Sequence, residues 1–133
     1  MTAESDLQAL LHGMMPELHE GIYVFCTFAD MLPARLDPLM SFREAEGITA
    51  IVDQQQADRL GLAYVYPCVW ITLTIHSDLS AVGFTAAISR ALTENGISCN
   101  VVAAYYHDHL FVAAADGQRA LHVLRQLAAT GGS

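Results

Sequence analysis

Histidine is where the reactive chemistry of this chain concentrates. The segment Tyr105-Tyr106-His107-Asp108-His109 sets two imidazoles two residues apart, which in a strand puts both on one face. Such a pair can clamp a metal ion or pass on a proton, and His76 joins it if the two strands are neighbours. The same residues also fit a polar hairpin turn in which Asp108 bonds its own backbone. Two histidines without a defined third ligand fall short of a zinc signature. A metal-binding protein or metal-dependent enzyme built on His107 and His109 therefore stands as an alternative reading.

A second constellation lies at His76-Ser77-Asp78-Leu79-Ser80, where a strand-like run passes into a helix-like one. Asp78 and Ser80 are both candidate N-caps. The helix is expected to begin at Ser80 and run to about Glu94. Its first turn, Ser80 to Gly83, would offer unpaired N–H groups and a positive dipole end to a carboxylate. Gly83 inside a helix costs about 1 kcal/mol relative to alanine. Either close packing of helix on sheet or a ligand approaching the backbone accounts for that cost. Asp78 can accept from an ammonium group, and Asn100 on the following strand can donate and accept. Plainer roles fit the same residues: capping for Ser77 and Asp78, an interstrand bond for Asn100. Glu44 and Glu46 read as a solvated hairpin rather than an acid–base pair, because nothing implies a cleft around them. No phosphate loop, nucleophile elbow or zinc spacing occurs.

The elements that position these residues follow from periodicity. Leu7, Leu10, Leu11 and Met14 fall at helical spacing, with Ser5 and Gln8 as a capping box and Pro16 ending the helix. Gly21 to Phe28 is a β-branched and aromatic strand, and residues 29–38, with Pro33 and Pro38, form a loop. Ser41 to Glu44 and Ile48 to Val52 form a hairpin through Ala45-Glu46-Gly47, with Gly47 free to take positive φ. Asp53 caps a helix over 54–60, and Gly61 ends it. Tyr64 to Cys68 reads as a linker around Pro67. Val69 to His76 alternates: Val69, Ile71, Leu73 and Ile75 on one face, Trp70, Thr72, Thr74 and His76 on the other. Two further strands are expected at Ile97 to Tyr106 and Leu110 to Ala114, then a helix capped by Asp116. Residues 130–133 are expected to be a disordered tail.

Composition bounds the rest. The chain has 133 residues, 53% of them hydrophobic, enough for one domain or two small ones sharing a core. Fourteen acidic residues against six basic ones give a net charge of −8, a poor match to a phosphate backbone, so nucleic acid is not expected as a partner. The apolar runs are too short to span a bilayer, so no membrane partner is expected either. The start, MTAESDLQ, has no basic stretch of a secretory leader, which makes the cytoplasm the default expectation. Cys26, Cys68 and Cys99 are odd in number, far apart and set in apolar runs, as buried thiols would be.

The element order repeats. Strand, helix, strand, strand, helix after residue 67 is most of a βαββαβ ferredoxin-like plan. The expected architecture is α+β: two such halves, 1–66 and 67–129, with helices on one face of antiparallel sheets. The second half lacks a closing strand and the first an opening one. Placing the halves side by side, with Val69 to His76 in the middle, would complete both. An exposed sheet edge also favours a homodimer.

His76 to Ala87, followed by Gly96-Ile97-Ser98-Cys99-Asn100-Val101, resembles ACT domains, the amino-acid-sensing modules of aspartate kinases and other regulated enzymes. The chain from about Leu10 to Leu127 is similar to small stand-alone proteins with two ACT-like halves, including Glu46-Gly47-Ile48-Thr49 and the Tyr105 to Val112 segment. The resemblance implies a regulatory protein without catalysis or a cofactor. It implies an amino acid or similar small molecule at the strand–helix turn, against the second strand of a neighbouring domain. The residues that would line this site are His76, Ser77, Asp78, Leu79, Val82, Gly83, Asn100 and Val101. Binding would then shift a dimer interface and regulate an enzyme partner. A ligand-free dimerisation module is the blander alternative.

Overall fold

The computed structural model describes Ala3 and residues 5–132. The elements in chain order are α1 (Leu7–Gly13), β1 (Met15–Leu18), β2 (Tyr23–Phe28), β3 (Met40–Arg43), β4 (Ile48–Asp53), α2 (Gln54–Arg59), β5 (Val65–Thr74), α3 (Phe84–Glu94), β6 (Asn100–Ala103), β7 (Asp108–Ala113) and α4 (Gly117–Thr130), with a 3₁₀ turn at Ala114–Asp116 before α4. By contacts they fall into two compact units. One is Glu20–Cys68; the other combines the chain up to His19 with the chain from Val69 onward.

In the 20–68 unit the strand order is β3-β4-β2-β5. β2 runs antiparallel to β4, with Tyr23 opposite Asp53 and Phe28 opposite Ile48. That order is the ferredoxin-like one, with residues 29–39 in the place of the first helix. Val24, Cys26, Ala50, Val52 and Ala57 form its core, and Phe28, Leu32, Leu36, Leu62 and Tyr64 pack against them. The Asp53 cap is present: its carboxylate accepts from the Gln56 backbone N–H at 2.8 Å. The Gln56 side chain turns away from the cap and donates to the Asp37 carbonyl at 2.9 Å, so it braces the long loop instead of closing a capping box.

Residues 65–68 are not a linker. They open β5, with Tyr23 opposite Cys68 and Phe25 opposite Val65. Pro67 suits a strand here because the register shifts between the Tyr23 and Phe25 pairings and Tyr66 takes a φ of 59°, marking a bulge where a missing donor is tolerated.

The other unit has the strand order β1-β5-β7-β6. Its closing strand is β1, from the far N-terminal side: Met15 to Leu18 pair antiparallel with Thr74 to Ile71. Pro16 therefore does more than end α1; it lies within a strand, opposite Leu73. Val69 meets α4, since a Cβ on Gly117 would lie 3.0 Å from its Cγ2, so Val69, Ile71 and Leu73 face the helices. Ile71, Leu73, Ile88, Leu92, Leu110 and Leu124 are all fully buried there. Other boundaries differ locally. Asp6, not Ser5, caps α1 by accepting from Ala9 N–H at 3.0 Å. The strand expected at 97–106 is the shorter β6, and the one expected at 110–114 is β7, which begins two residues earlier, at Asp108. Asp116 makes no cap bond and instead accepts from Arg119 at 2.8 Å. Thr130 ends α4, and Gly131, at φ 66°, closes it with an N–H to the Leu127 carbonyl at 2.8 Å. Of the expected disordered tail, Ser133 lies outside the described residues.

The 44–47 hairpin is closed by the Glu44 N–H on the Gly47 carbonyl at 2.8 Å. Gly47 has φ 153°, and a Cβ there would meet the Phe28 carbonyl oxygen at 2.6 Å. Gly47→Ala is expected to destabilise the protein by about 1–3 kcal/mol, read by urea denaturation. Leu73→Ala should cost about 2–5 kcal/mol by the same measurement, because it empties a fully buried site opposite β1.

Candidate functional site

The face of β5 turned away from the helices carries Trp70 and Thr72. Pairing with β1 puts Glu17 opposite Thr72, and the His19 N–H then donates to the Trp70 carbonyl at 2.9 Å. The His19 ring stacks on the Trp70 indole, centroids 3.5 Å apart and planes 15° from parallel. His19 Nε2 lies 2.7 Å from Thr72 Oγ1, which lies 3.1 Å from His109 Nδ1. The Trp70 Nε1–H donates to the same His109 Nδ1 at 3.0 Å. Indole is only a donor, so His109 Nδ1 must be an acceptor. The Thr72 hydroxyl then donates to it and receives the His19 Nε2–H. One directed chain of side-chain hydrogen bonds thus joins β5 and β7 to His19, the residue that follows β1. Burial, then repulsion from His107 and His19, holds the His109 pKa below the ordinary imidazole value, against the smaller pull of Asp108.

The second constellation sits at the end of β5. His107 Nδ1–H donates to the Ile75 carbonyl at 3.1 Å, and the Ser77 hydroxyl donates to Asp108 Oδ2 at 3.3 Å. Ser77 and Asp108 are both buried. Asp108 therefore does not bond its own backbone as in a hairpin turn; it anchors the turn after β5 to the start of β7. Burial raises its pKa, opposed by the Ser77 bond and the charges of His109 and His107. His76 packs near Tyr106 (5.3 Å between centroids) and Tyr105 (6.4 Å), and its Nδ1 is buried without a hydrogen-bond partner among the described residues.

The helix does not begin at Ser80. Asp78 Oδ1 accepts from Ser80 N–H at 2.8 Å and its carbonyl from Ala81 N–H at 2.9 Å, which makes a local turn and delays α3 to Phe84. Gly83 is the N-cap, with φ 93° and no side-chain cap bond. Its backbone conformation is the reason for glycine there; a Cβ would meet Leu7 only at ordinary contact distance, 3.5 Å. Leu79 and Val82 stand out from the turn, 69% and 84% exposed. Asn100 and Val101 lie on β6, the outer strand of this unit, and the Asn100 amide reaches the Phe111 carbonyl at 3.5 Å. The structure joins Ser77 to β7; no hydrogen bond links the 77–83 turn to Asn100 or Val101 among the described residues.

Among the described residues no three His, Cys, Asp or Glu side chains are grouped to hold a metal. The cysteines are free thiols, with burial pushing Cys68 and Cys99 up to about 11. No helix among the described residues is long and apolar enough to cross a membrane. Sequence reasoning missed His19, Trp70 and Thr72. Trp70 and Thr72 were on the correct face of a recognised strand. His19 had no visible signal, because the strand that carries it there was not recognised.

Both sequence and fold now define the class. One ACT domain model matches residues 2–69 and a second ACT domain model residues 65–126. The chain belongs to the ACT domain family, as two tandem ACT domains. Among solved structures it is similar to a Vibrio cholerae protein of unknown function, described as a possible transport protein: 46% identity, TM-score 0.84, covering 92% of this chain and 95% of that one. An Agrobacterium tumefaciens protein shares the fold at 16% identity and TM-score 0.74, over 86% and 89% of the two chains. The ligand-free regulatory subunit of Thermus thermophilus aspartate kinase shares it at 10% identity and TM-score 0.65, over 86% and 98%. Comparison with curated proteins gives no match.

Ser77→Ala removes the donor from a buried carboxyl group and should cost about 1–3 kcal/mol at pH 7. The folded state holds the Asp108 proton more tightly than the unfolded state, so this group's contribution to stability falls as pH rises from 3.8 through its raised value. The Ser77→Ala penalty is therefore expected to shrink at acid pH, measured by denaturant titration at several pH values. Cys68 and Cys99 should react slowly with alkylating reagents at neutral pH in the folded protein and rapidly after unfolding, followed by mass spectrometry.

Proposed function

We propose that this protein is a non-catalytic regulatory ACT protein that binds an amino acid at the 77–83 turn and acts as a homodimer on an enzyme partner. The observation that carries this reading is the turn itself. Its base is anchored by Ser77 and His107, while Asp78 to Gly83 lead into an α3 N-terminus without a side-chain cap. The N–H groups of that first turn suit a ligand carboxylate. Asp78 is the partner for an ammonium group, and the exposed Leu79 and Val82 offer apolar contact to a side chain. Membership of the ACT family and the shared fold with a regulatory subunit of aspartate kinase support the regulatory role. In the dimer, Asn100 and Val101 on outer strand β6 would face the turn from the second copy, with His76 at its rim. The acidic surface, net charge −8, fits a zwitterion better than a polyanion.

Calorimetric titration with each of the twenty amino acids at millimolar concentration is the test. Binding of one or a few is expected, and Asp78→Ala should weaken it about tenfold or more, the loss of one charge-assisted hydrogen bond. Silence across all twenty would overturn the amino-acid reading. Sedimentation with and without the ligand reports the dimer.

A further inference from the structure

His109 Nδ1 has a single lone pair in the ring plane, and two donors point at it: Trp70 Nε1–H at 3.0 Å and the Thr72 hydroxyl at 3.1 Å. That arrangement exists only while Nδ1 is unprotonated. A proton there would meet the indole N–H head-on. Thr72 would have to turn its hydroxyl away and accept from His109 instead, while its second lone pair keeps the His19 Nε2–H. His19 has no such conflict, since it can take a proton on Nδ1 and keep donating from Nε2. We infer that His109 is a proton-operated latch on this face of the unit: neutral, it accepts from both Trp70 and Thr72; protonated, it releases the Trp70 indole and reverses the Thr72 hydrogen bond. The inference is independent of any ligand at the 77–83 turn.

The groups that face His109 are consistent with a neutral resting state. From its own strand comes the buried Asp108, and from the residue before that strand His107, with ring centroids 6.5 Å apart. From β5 come Trp70 and Thr72, neither of them charged. From β1 and the residue after it come His19 and Glu17, whose carboxylate lies 3.6 Å from His19 Nε2 rather than on His109. β6 pairs Val102 with His109 and carries no titratable side chain. Burial and the two histidines push against a charge on His109, and Asp108 alone favours it. The folded state therefore binds this proton less readily than the unfolded state. Stability rises with pH between the lowered value and the ordinary 6.5, and falls on acidification through the same window.

Trp70 is the one tryptophan of the chain, so its emission reports this site. The experiment is a pH titration of the whole protein, followed by ¹⁵N-histidine NMR and by Trp70 fluorescence. Expected are an Nε2–H tautomer of His109 at alkaline pH, a titration midpoint below 6.5, and a change in the Trp70 indole resonance and emission with that same midpoint. Thr72→Val removes one of the two donors and should move the His109 midpoint upward. His109→Gln keeps an acceptor but cannot titrate, and should abolish the emission step that His19→Gln leaves in place. An Nδ1–H tautomer at alkaline pH overturns the latch. So does an indole signal that stays still while His109 titrates, a midpoint indifferent to Thr72→Val, or an emission step lost with His19 and kept without His109. The NMR titration needs no variant, so it decides the matter even if a substitution fails to fold.

Discussion

Strand β5 must be paired along its whole length, and most of the architecture follows from that requirement. A ten-residue strand whose Cys68, Ile71 and Leu73 are fully buried cannot leave its inner amides and carbonyls unsatisfied. Its first residues take β2 as a neighbour, and its later ones take β1. The second ACT domain is thereby completed by a strand that lies at the other end of the sequence. The same pairing fixes which side chains of β1 share a face with Trp70 and Thr72, because register and face are one choice in a pleated sheet.

The polar network is a consequence of that register. Once His19 is held on the Trp70 carbonyl, its ring falls on the indole and its Nε2 reaches Thr72. His109 arrives on the neighbouring strand β7 and supplies the acceptor that both β5 donors need. Its neighbours in sequence have a different task. His107 and Asp108 reach the end of β5 and hold residues 75 and 77, so adjacent residues of one short segment serve two sites. A motif that reads as one chemical unit is divided where β7 begins, with His107 before the strand and His109 inside it.

The 77–83 turn shows how local hydrogen bonding decides an element boundary. Asp78 has the residue type of an N-cap, and its side chain does accept a backbone N–H, but two residues along, as an Asx turn, rather than at the start of α3. The helix waits for Gly83, whose positive φ turns the chain into register with Phe84 and Ile88 facing the core. The resulting turn is anchored at its base and exposed at Leu79 and Val82.

Sequence alone determined the periodicities: the alternating face of β5, the glycine at the 44–47 hairpin, the Asp53 cap and the ferredoxin-like element order that belongs to ACT domains. These are readable because each rests on residues within a few positions of one another. Tertiary structure decided what depends on long-range pairing. Residues 15–18 carry no strand signal of their own, with a proline among four residues, and become a strand only because β5 offers an unpaired edge. Pro67 read as a break for the same reason, until the bulge opposite β2 absorbed it. The chain from His19 through Thr72 to His109 was invisible in the sequence because 53 and 37 residues separate its links. Only the sheet brings them within hydrogen-bonding distance, and only there does the indole N–H dictate which imidazole nitrogen stays bare.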